Sequence, residues 1–468
     1  MAGYVFENMS DQDAAAFGDG DTLLFRSATA NQVNVQPYSN GSSGANVNSG
    51  ITLSFGGISH TFNASISTAS QMGNIVFNDA SHLVIGTQAG AETLTLQGNV
   101  GATGSGTAGM NVDPNTVYAL GGADTINASM SAAGVSNYLN GGFGADTIMG
   151  GNANNHIYGN SQFSQVGDVD PGNRTPDAGD TITVGSGTNY INGNAGTDTI
   201  TVGSNATAPT TSPGGNTTPG TAASTGDNRV FGGADADTIT IRGAGLNQVN
   251  GNTGNDTITA STAVGDNTLR GGMGDDSITA GHGHDVVMGD VGNDTLIVSG
   301  ETTGATAGTA SNTHITQLTG SQGSDTFDFS AAGAGIASTF AGSSTSGGTA
   351  GQTYYQTITD FSVADADRLS LTTTTPSGQT PQVAHSATVF TSVHDAEIFA
   401  QTQLNPPSGN AAQVSVLNVG SANNAYVFYN DANGGDPTSG NDAAQGLGII
   451  HLTGVDANSI SNPSFQGF

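Results

Sequence analysis

The sequence predicts an all-β chain: a parallel β-roll, or β-helix solenoid, wound on glycine-aspartate turns and flanked by β-rich segments at both ends. Three observations predict it. A nine-residue pattern of glycine-rich turn, aspartate and short strand recurs through the middle of the chain. The turn aspartates fall at a second, longer and nearly regular spacing. Apolar residues make up only 35% of the 468 residues, too few for one large core.

The pattern is plain in Gly141-Gly142-Phe143-Gly144-Ala145-Asp146-Thr147-Ile148-Met149. It returns as GNAGTDTIT (193–201), GGADADTIT (232–240), GNTGNDTIT (251–259), GGMGDDSIT (271–279), AGHGHDVVM (280–288), GDVGNDTLI (289–297) and GSQGSDTFD (320–328). Weaker copies stand at 87–95, 120–127, 150–158 and 177–183, with Glu92 and Asn155 where aspartate is expected. Degenerate copies at the start suit capping coils.

Subtracting successive turn aspartates gives 22 residues from Asp124 to Asp146, 18 from Asp180 to Asp198, 19 from Asp237 to Asp256, 20 from Asp256 to Asp276 and 18 from Asp276 to Asp294. One coil therefore holds two short strands and two turns, as repeat architectures do when each unit buries its face only by stacking. The second strand is Asn137-Tyr138-Leu139-Asn140, then Asn189-Tyr190-Ile191-Asn192, Asn228-Arg229-Val230-Phe231, Asn247-Gln248-Val249-Asn250 and Asn267-Thr268-Leu269-Arg270.

The organisation follows: an N-terminal β-rich segment over 1–85, the roll over 86–330 and a C-terminal β-rich segment over 331–468. Alternation in Ile51–Phe55 and Asn74–Phe77 predicts strands, and Ser10 is placed to cap a short helix through Asp13–Ala16. Insertions rich in Ser, Thr, Gly, Pro and Ala at 97–115, 203–227 and 299–312 should leave the edge opposite the aspartates, and the one at 159–178 the aspartate edge itself.

Glycines at the first, second and fourth positions of the turn open backbone angles closed to other residues; they include Gly141, Gly144, Gly193, Gly196, Gly251, Gly254, Gly271, Gly274, Gly289 and Gly292. Such a turn can aim carbonyl oxygens at one point, to which the aspartate adds a carboxylate. Coils of a parallel roll lie about 4.8 Å apart, so Asp124, Asp146, Asp180, Asp198, Asp237, Asp256, Asp276, Asp294 and Asp325 form a column of like charges, and Asp285, in a further turn of the same kind, is a candidate metal ligand with them. Two unit charges at that spacing repel by about 1 kcal/mol in water and more at a low-dielectric surface. A hard divalent cation between turns relieves this with oxygen ligands only, at a flexible geometry that favours Ca²⁺ over Mg²⁺. Binding and folding then become one event.

These residues resemble the RTX, or repeats-in-toxin, nonapeptide family over about 87–328. The resemblance implies a calcium β-roll. The run Ser324–Phe329, Ile358–Phe361 and Asp367–Leu371 is similar to the segment that follows the repeats in serralysin-type and other type I secreted proteins. It implies an uncleaved C-terminal export signal and an extracellular or cell-surface location.

Composition narrows the function. The chain has 37 acids against 6 bases and a net charge of −31, which repels nucleic acid and anionic lipid. It has no cysteine for a disulfide or thiolate site, no basic-then-apolar leader in its first residues and no apolar run of bilayer-spanning length. No His-Glu-x-x-His, Gly-x-Ser-x-Gly, phosphate-loop or dinucleotide motif occurs, so the chain is not expected to be an enzyme. His282-Gly283-His284-Asp285 and the pair Asp275-Asp276 lie in repeat turns and read as turn chemistry; Asp431–Asp436 could hold one more Ca²⁺ or be an ordinary turn.

The composition, lysine-free and rich in Thr and Asn, is similar to that of RTX-type surface-layer proteins. The expected function is a secreted calcium-binding structural protein that assembles into a surface layer, filament or extracellular matrix, with other copies of the chain and calcium as partners and a cell-surface polysaccharide as a candidate partner. The alternative is a secreted enzyme or carbohydrate-binding adhesin with its site in residues 1–85 or 372–468.

Overall fold

A computed structural model of the chain describes residues 1–38, 50–87, 90–96, 113–160, 177–203, 210–211, 217–218, 226–299, 316–329, 356–371, 383–404, 414–430, 447–461 and 464–466. They form two units, Met1–Gly245 and Leu246–Phe468.

In the first unit, each repeat strand has its apolar residue between two threonines or their equivalents. Side chains of a strand alternate between its faces, so one residue per strand points inward. Parallel pairing in register sets Leu94, Ile126, Ile148, Ile182, Ile200 and Ile239 side by side on one sheet. The second sheet runs from His82–Ile85 through Asn115–Tyr118, Ser136–Asn140, Asn154–Tyr158 and Tyr190–Asn194 to Asn228–Ala234, aligning Val117, Leu139, Ile157, Ile191 and Val230. The isoleucines at 126, 148, 182, 200 and 239 and this second row are fully buried. A core only two side chains wide needs few apolar residues, which reconciles the composition with an ordered fold.

The roll begins earlier than residue 86: strand His82–Ile85 is already its first rung. Ahead of it, strands Gly3–Val5, Thr22–Phe25 and Ile75–Phe77 pair in parallel, while Asn34–Tyr38, Gly50–Phe55 and Ile58–Phe62 form an antiparallel meander. Ser10 caps helix Asp11–Ala15 in a capping box with Asp13. The core of this segment, around Phe6, Phe17, Phe25 and Phe62, runs on into Leu83, Ile85, Tyr118 and Leu120. The N-terminal segment thus covers the first coils.

The second unit repeats the plan. Ile258, Ile278, Leu296, Phe327 and Leu369 align on one sheet, and Val249, Leu269, Val287, Leu318 and Ile358 on the other. Past the repeats, Gln356–Ile358 pairs in parallel with Leu447–Thr453, which continues antiparallel into Asn424–Asn430 and Val414–Asn418. Helix Val393–Leu404 packs Ala396, Ala400 and Leu404 toward Leu417, Tyr426 and Phe428. The sequence reading gave this helix no place, although its start is marked: Ser392 and Asp395 exchange hydrogen bonds.

Candidate metal centre

The turn after each second-sheet strand is a fixed device. Its second and fourth residues are left-handed: Gly142 and Gly144 have φ of 102° and 125°, Gly272 and Gly274 of 117° and 128°. Asn194, Asn252, Asp290 and Ser321 take the same hand at the second position, as does Asp235 at the fourth. The first glycine needs something else, since Gly141, Gly193, Gly251, Gly271 and Gly289 are not left-handed. A Cβ there would land on the Oδ2 of its own turn's aspartate: Asp146, Asp198, Asp256, Asp276 and Asp294 respectively. It would also meet a carbonyl oxygen of the next coil, that of Gly159, Gly232 and Gly271 for Gly141, Gly193 and Gly251. The missing side chain therefore leaves a small cradle lined by a carboxylate oxygen and a carbonyl oxygen.

The aspartates form a ladder. Each Oδ1 accepts the backbone N–H of the aspartate one coil back: Asp124 donates to Asp146, Asp146 to Asp180, Asp180 to Asp198 and Asp198 to Asp237, all at 2.7 Å. In the second unit Asp256 donates to Asp276 at 2.8 Å, and Asp276 to Asp294 and Asp294 to Asp325 at 2.9 Å. The carboxyls are almost wholly buried. The Oδ2 atoms of Asp124, Asp146, Asp180, Asp198, Asp276 and Asp294 are buried with no hydrogen-bond partner. Buried polar oxygens in folded proteins are nearly always satisfied, and a repeating exception on one edge marks a place that a cation fits.

Electrostatics agree. Burial is the largest cause that pushes Asp180 up to about 10, Asp146 and Asp198 to about 8, Asp276 and Asp325 to about 7, and Asp124 and Asp294 to about 6. Neighbouring carboxylates push in the same direction, while backbone N–H donors pull the other way. A divalent cation is what lets such groups stay ionised.

Among the described residues no three His, Cys, Asp or Glu side chains converge as a metal site. The donor set at Asp124, Asp146, Asp180, Asp198, Asp276 and Asp294 is one open carboxylate oxygen each plus carbonyls, oxygen only, which suits calcium and offers nothing to a softer ion. In the turn His282-Gly283-His284, the His284 ring sits 3.5 Å from Asp266 Oδ1 and is exposed. The Asp431–Asp436 turn lies outside the described residues.

Not every expected residue stands on this edge. Asp285 lies on the opposite one, where the chain passes from first-sheet strand to second-sheet strand. A column of buried asparagines runs there: Asn137 Nδ2 donates to Asn155 Oδ1 at 3.0 Å, Asn155 to Asn189 and Asn189 to Asn228 at 2.8 Å, and in the second unit Asn247 to Asn267 at 2.7 Å and Asn267 to Asp285 at 2.8 Å. Asn155, expected as a defective turn aspartate, is a regular member of this column. Sequence reading missed the column, although an asparagine opens every second strand it identified.

The aspartate ladder continues at both ends, through Glu92, which the copy at 87–95 already put in the aspartate's place, and through Asp367, which was not among the candidate ligands. Glu92 donates its N–H to Asp124 Oδ1 at 2.7 Å, and Asp325 donates to Asp367 Oδ1 at 3.0 Å. Asp177, whose Oδ1 accepts from Gly144 at 2.9 Å, adds a further buried acid beside Asp146 and Asp180.

Fold and site together define a metal-binding parallel β-roll whose aspartate turns stack coil on coil. The family model of the RTX calcium-binding nonapeptide repeat matches residues 134–165, 177–206, 222–240, 242–262 and 261–296. The matched residues are thus RTX repeats, and calcium is the metal such repeats bind. No curated protein matches the chain.

Proposed function

We propose that the chain is a secreted structural protein that folds on meeting extracellular calcium and then assembles with copies of itself into a surface layer, filament or matrix. The observation that carries the calcium step is the row of buried Oδ2 atoms without a partner, in a chain whose net charge of −31 offers almost no internal cation. Calcium held there supplies the positive charge; the chain's own part is to hold Oδ1 by a backbone N–H, open the first-glycine cradle and exclude water from the Ile column. A protein with calcium-dependent structure is suited to export unfolded and to folding where calcium is abundant.

Assembly rests on the lysine-free, Thr- and Asn-rich composition, on flanking segments at both ends and on the absence of a catalytic motif in the sequence. Among the described residues no helix is long and apolar enough to cross a membrane. The test is calcium titration of the purified full chain, followed by circular dichroism, light scattering and electron microscopy. Ordered arrays or filaments on calcium addition support the proposal; folded particles that stay monomeric at millimolar calcium and high protein concentration sink the assembly step while leaving the calcium step standing.

A further inference from the structure

We propose that calcium occupies one edge of the roll only, and that the opposite edge is locked without metal by a ladder of side-chain amides that ends on Asp285. The proposal rests on the calcium reading above and says where those ions are not.

The two edges differ in how their oxygens are used. On the amide edge, Asn189 Oδ1 accepts both the N–H of Asn155 at 3.3 Å and its Nδ2 at 2.8 Å, and Asn189 Nδ2 also reaches the carbonyl of Gly187 at 2.7 Å. Asn228 Oδ1 receives Asn189 in the same two ways, at 3.2 and 2.8 Å. Two donors fill the two lone pairs of a carbonyl-type oxygen, so these rungs have no oxygen to offer a cation. On the aspartate edge Oδ1 takes a backbone donor while Oδ2 stays open.

Asp285 has the composition of a ligand and the bonding of the amide edge. Its Oδ1 accepts the N–H and the Nδ2 of Asn267, both at 2.8 Å, and its Oδ2 accepts the N–H of Gly281 at 2.6 Å. In this ladder Asn137, Asn155, Asn189, Asn247 and Asn267 each donate forward to the next coil. The last member only has to accept, and a carboxylate, which has no donor, fits that role. At the following coil the pattern changes to Thr316 N–H donating to Gln356 Oε1.

Asp367 closes the aspartate ladder in the same manner. Its Oδ1 accepts from Asp325 at 3.0 Å and its Oδ2 from Ser362 at 2.8 Å. The distinction between ligand and terminator is therefore made by the second oxygen, open in Asp276 and Asp294 and closed in Asp285 and Asp367.

Insertions follow the same division. The strands flanking 97–112, 204–225 and 300–315 put the ends of those segments at the amide edge, and only 161–176 enters at the aspartate edge. A site shared by two stacked turns needs both at constant length, whereas one asparagine per coil closes a rung whatever precedes it.

Native mass spectrometry of the full chain in saturating calcium, with thermal melts on the same samples, tests this. Asp285→Asn should carry as many ions as the parent and melt within a few degrees of it, because asparagine is what the other rungs use. Asp276→Asn should lose at least one ion, and Asn189→Asp should melt lower without gaining one. Loss of an ion from Asp285→Asn, or a gain in Asn189→Asp, overturns the one-edge assignment while the aspartate-edge reading stands. An unchanged ion count in Asp276→Asn removes that reading, and the present inference with it.

Discussion

The aspartate edge and the asparagine edge of each coil do the same mechanical job, holding one turn on the next, by opposite chemical means. At Asn189 the side chain is donor and acceptor at once, so a stack of identical residues satisfies itself. At Asp198 the side chain only accepts, so one oxygen finds a backbone N–H and the other finds nothing. An amide ladder is complete on folding, whereas a carboxylate ladder carries a cost that only an external cation removes. The difference teaches why such a roll responds to calcium: half of its turns are finished by sequence and half by solution conditions.

Removing calcium should have the largest effect. Chelation is expected to abolish most of the β signal in circular dichroism of the full chain, reversibly on re-addition; retention of a cooperative thermal transition in excess chelator would mean that the amide edge and the Ile column suffice alone.

The next effect is on pH, and its sign depends on the metal. Asp146, Asp180 and Asp198 have folded pKa values raised to about 8, 10 and 8 above an unfolded value near 3.8. Groups so shifted give the metal-free fold its full contribution below about pH 4 and lose it as pH rises through the folded values. Whatever metal-free structure persists should therefore melt at lower temperature at pH 8 than at pH 5. In saturating calcium protons compete with the metal, and the order should reverse. The same order in both buffers would count against the carboxylates as the responsive groups.

Smaller effects separate the edges residue by residue. Gly271→Ala puts a methyl onto Asp276 Oδ2; overpacking of this kind costs about 1–3 kcal/mol, and the variant should also need more calcium to fold, read as a rightward shift of the titration. Asn189→Ala strands buried partners on the amide edge at a cost of about 1–3 kcal/mol, yet its calcium midpoint should move only as far as the lost stability requires. Equal midpoint shifts for two variants of equal destabilisation would erase the contrast between the edges.

Much of this was readable from residues alone. The Gly-x-Gly-x-Asp spacing exposed the coils, and the Thr-Ile-Thr alternation fixed which side chain enters the core, because both depend on local geometry and a period of two. Ser10 announced its helix for the same local reason, and Ser392 carried an equal signal that went unread. Asp285 shows where local reading ends. Its turn, Gly281-His282-Gly283-His284-Asp285, imitates the calcium repeat nearly letter for letter, yet it stacks on Asn267. Which edge a turn occupies is settled by the coil beneath it.

The sequence by itself determined a winding of short strands with one apolar residue each, an acid at regular intervals and an overwhelming negative charge. Only the tertiary structure decided which acids keep an oxygen open: Oδ1 takes a donor from another coil, 18 residues away in the chain at Asp198 and 42 at Asp367, and whether Oδ2 also meets an N–H, as in Asp285 and Asp367, depends on how the turn before it folds. Hydrogen-bond saturation is a property of neighbours in three dimensions, and no spacing rule along one strand contains it.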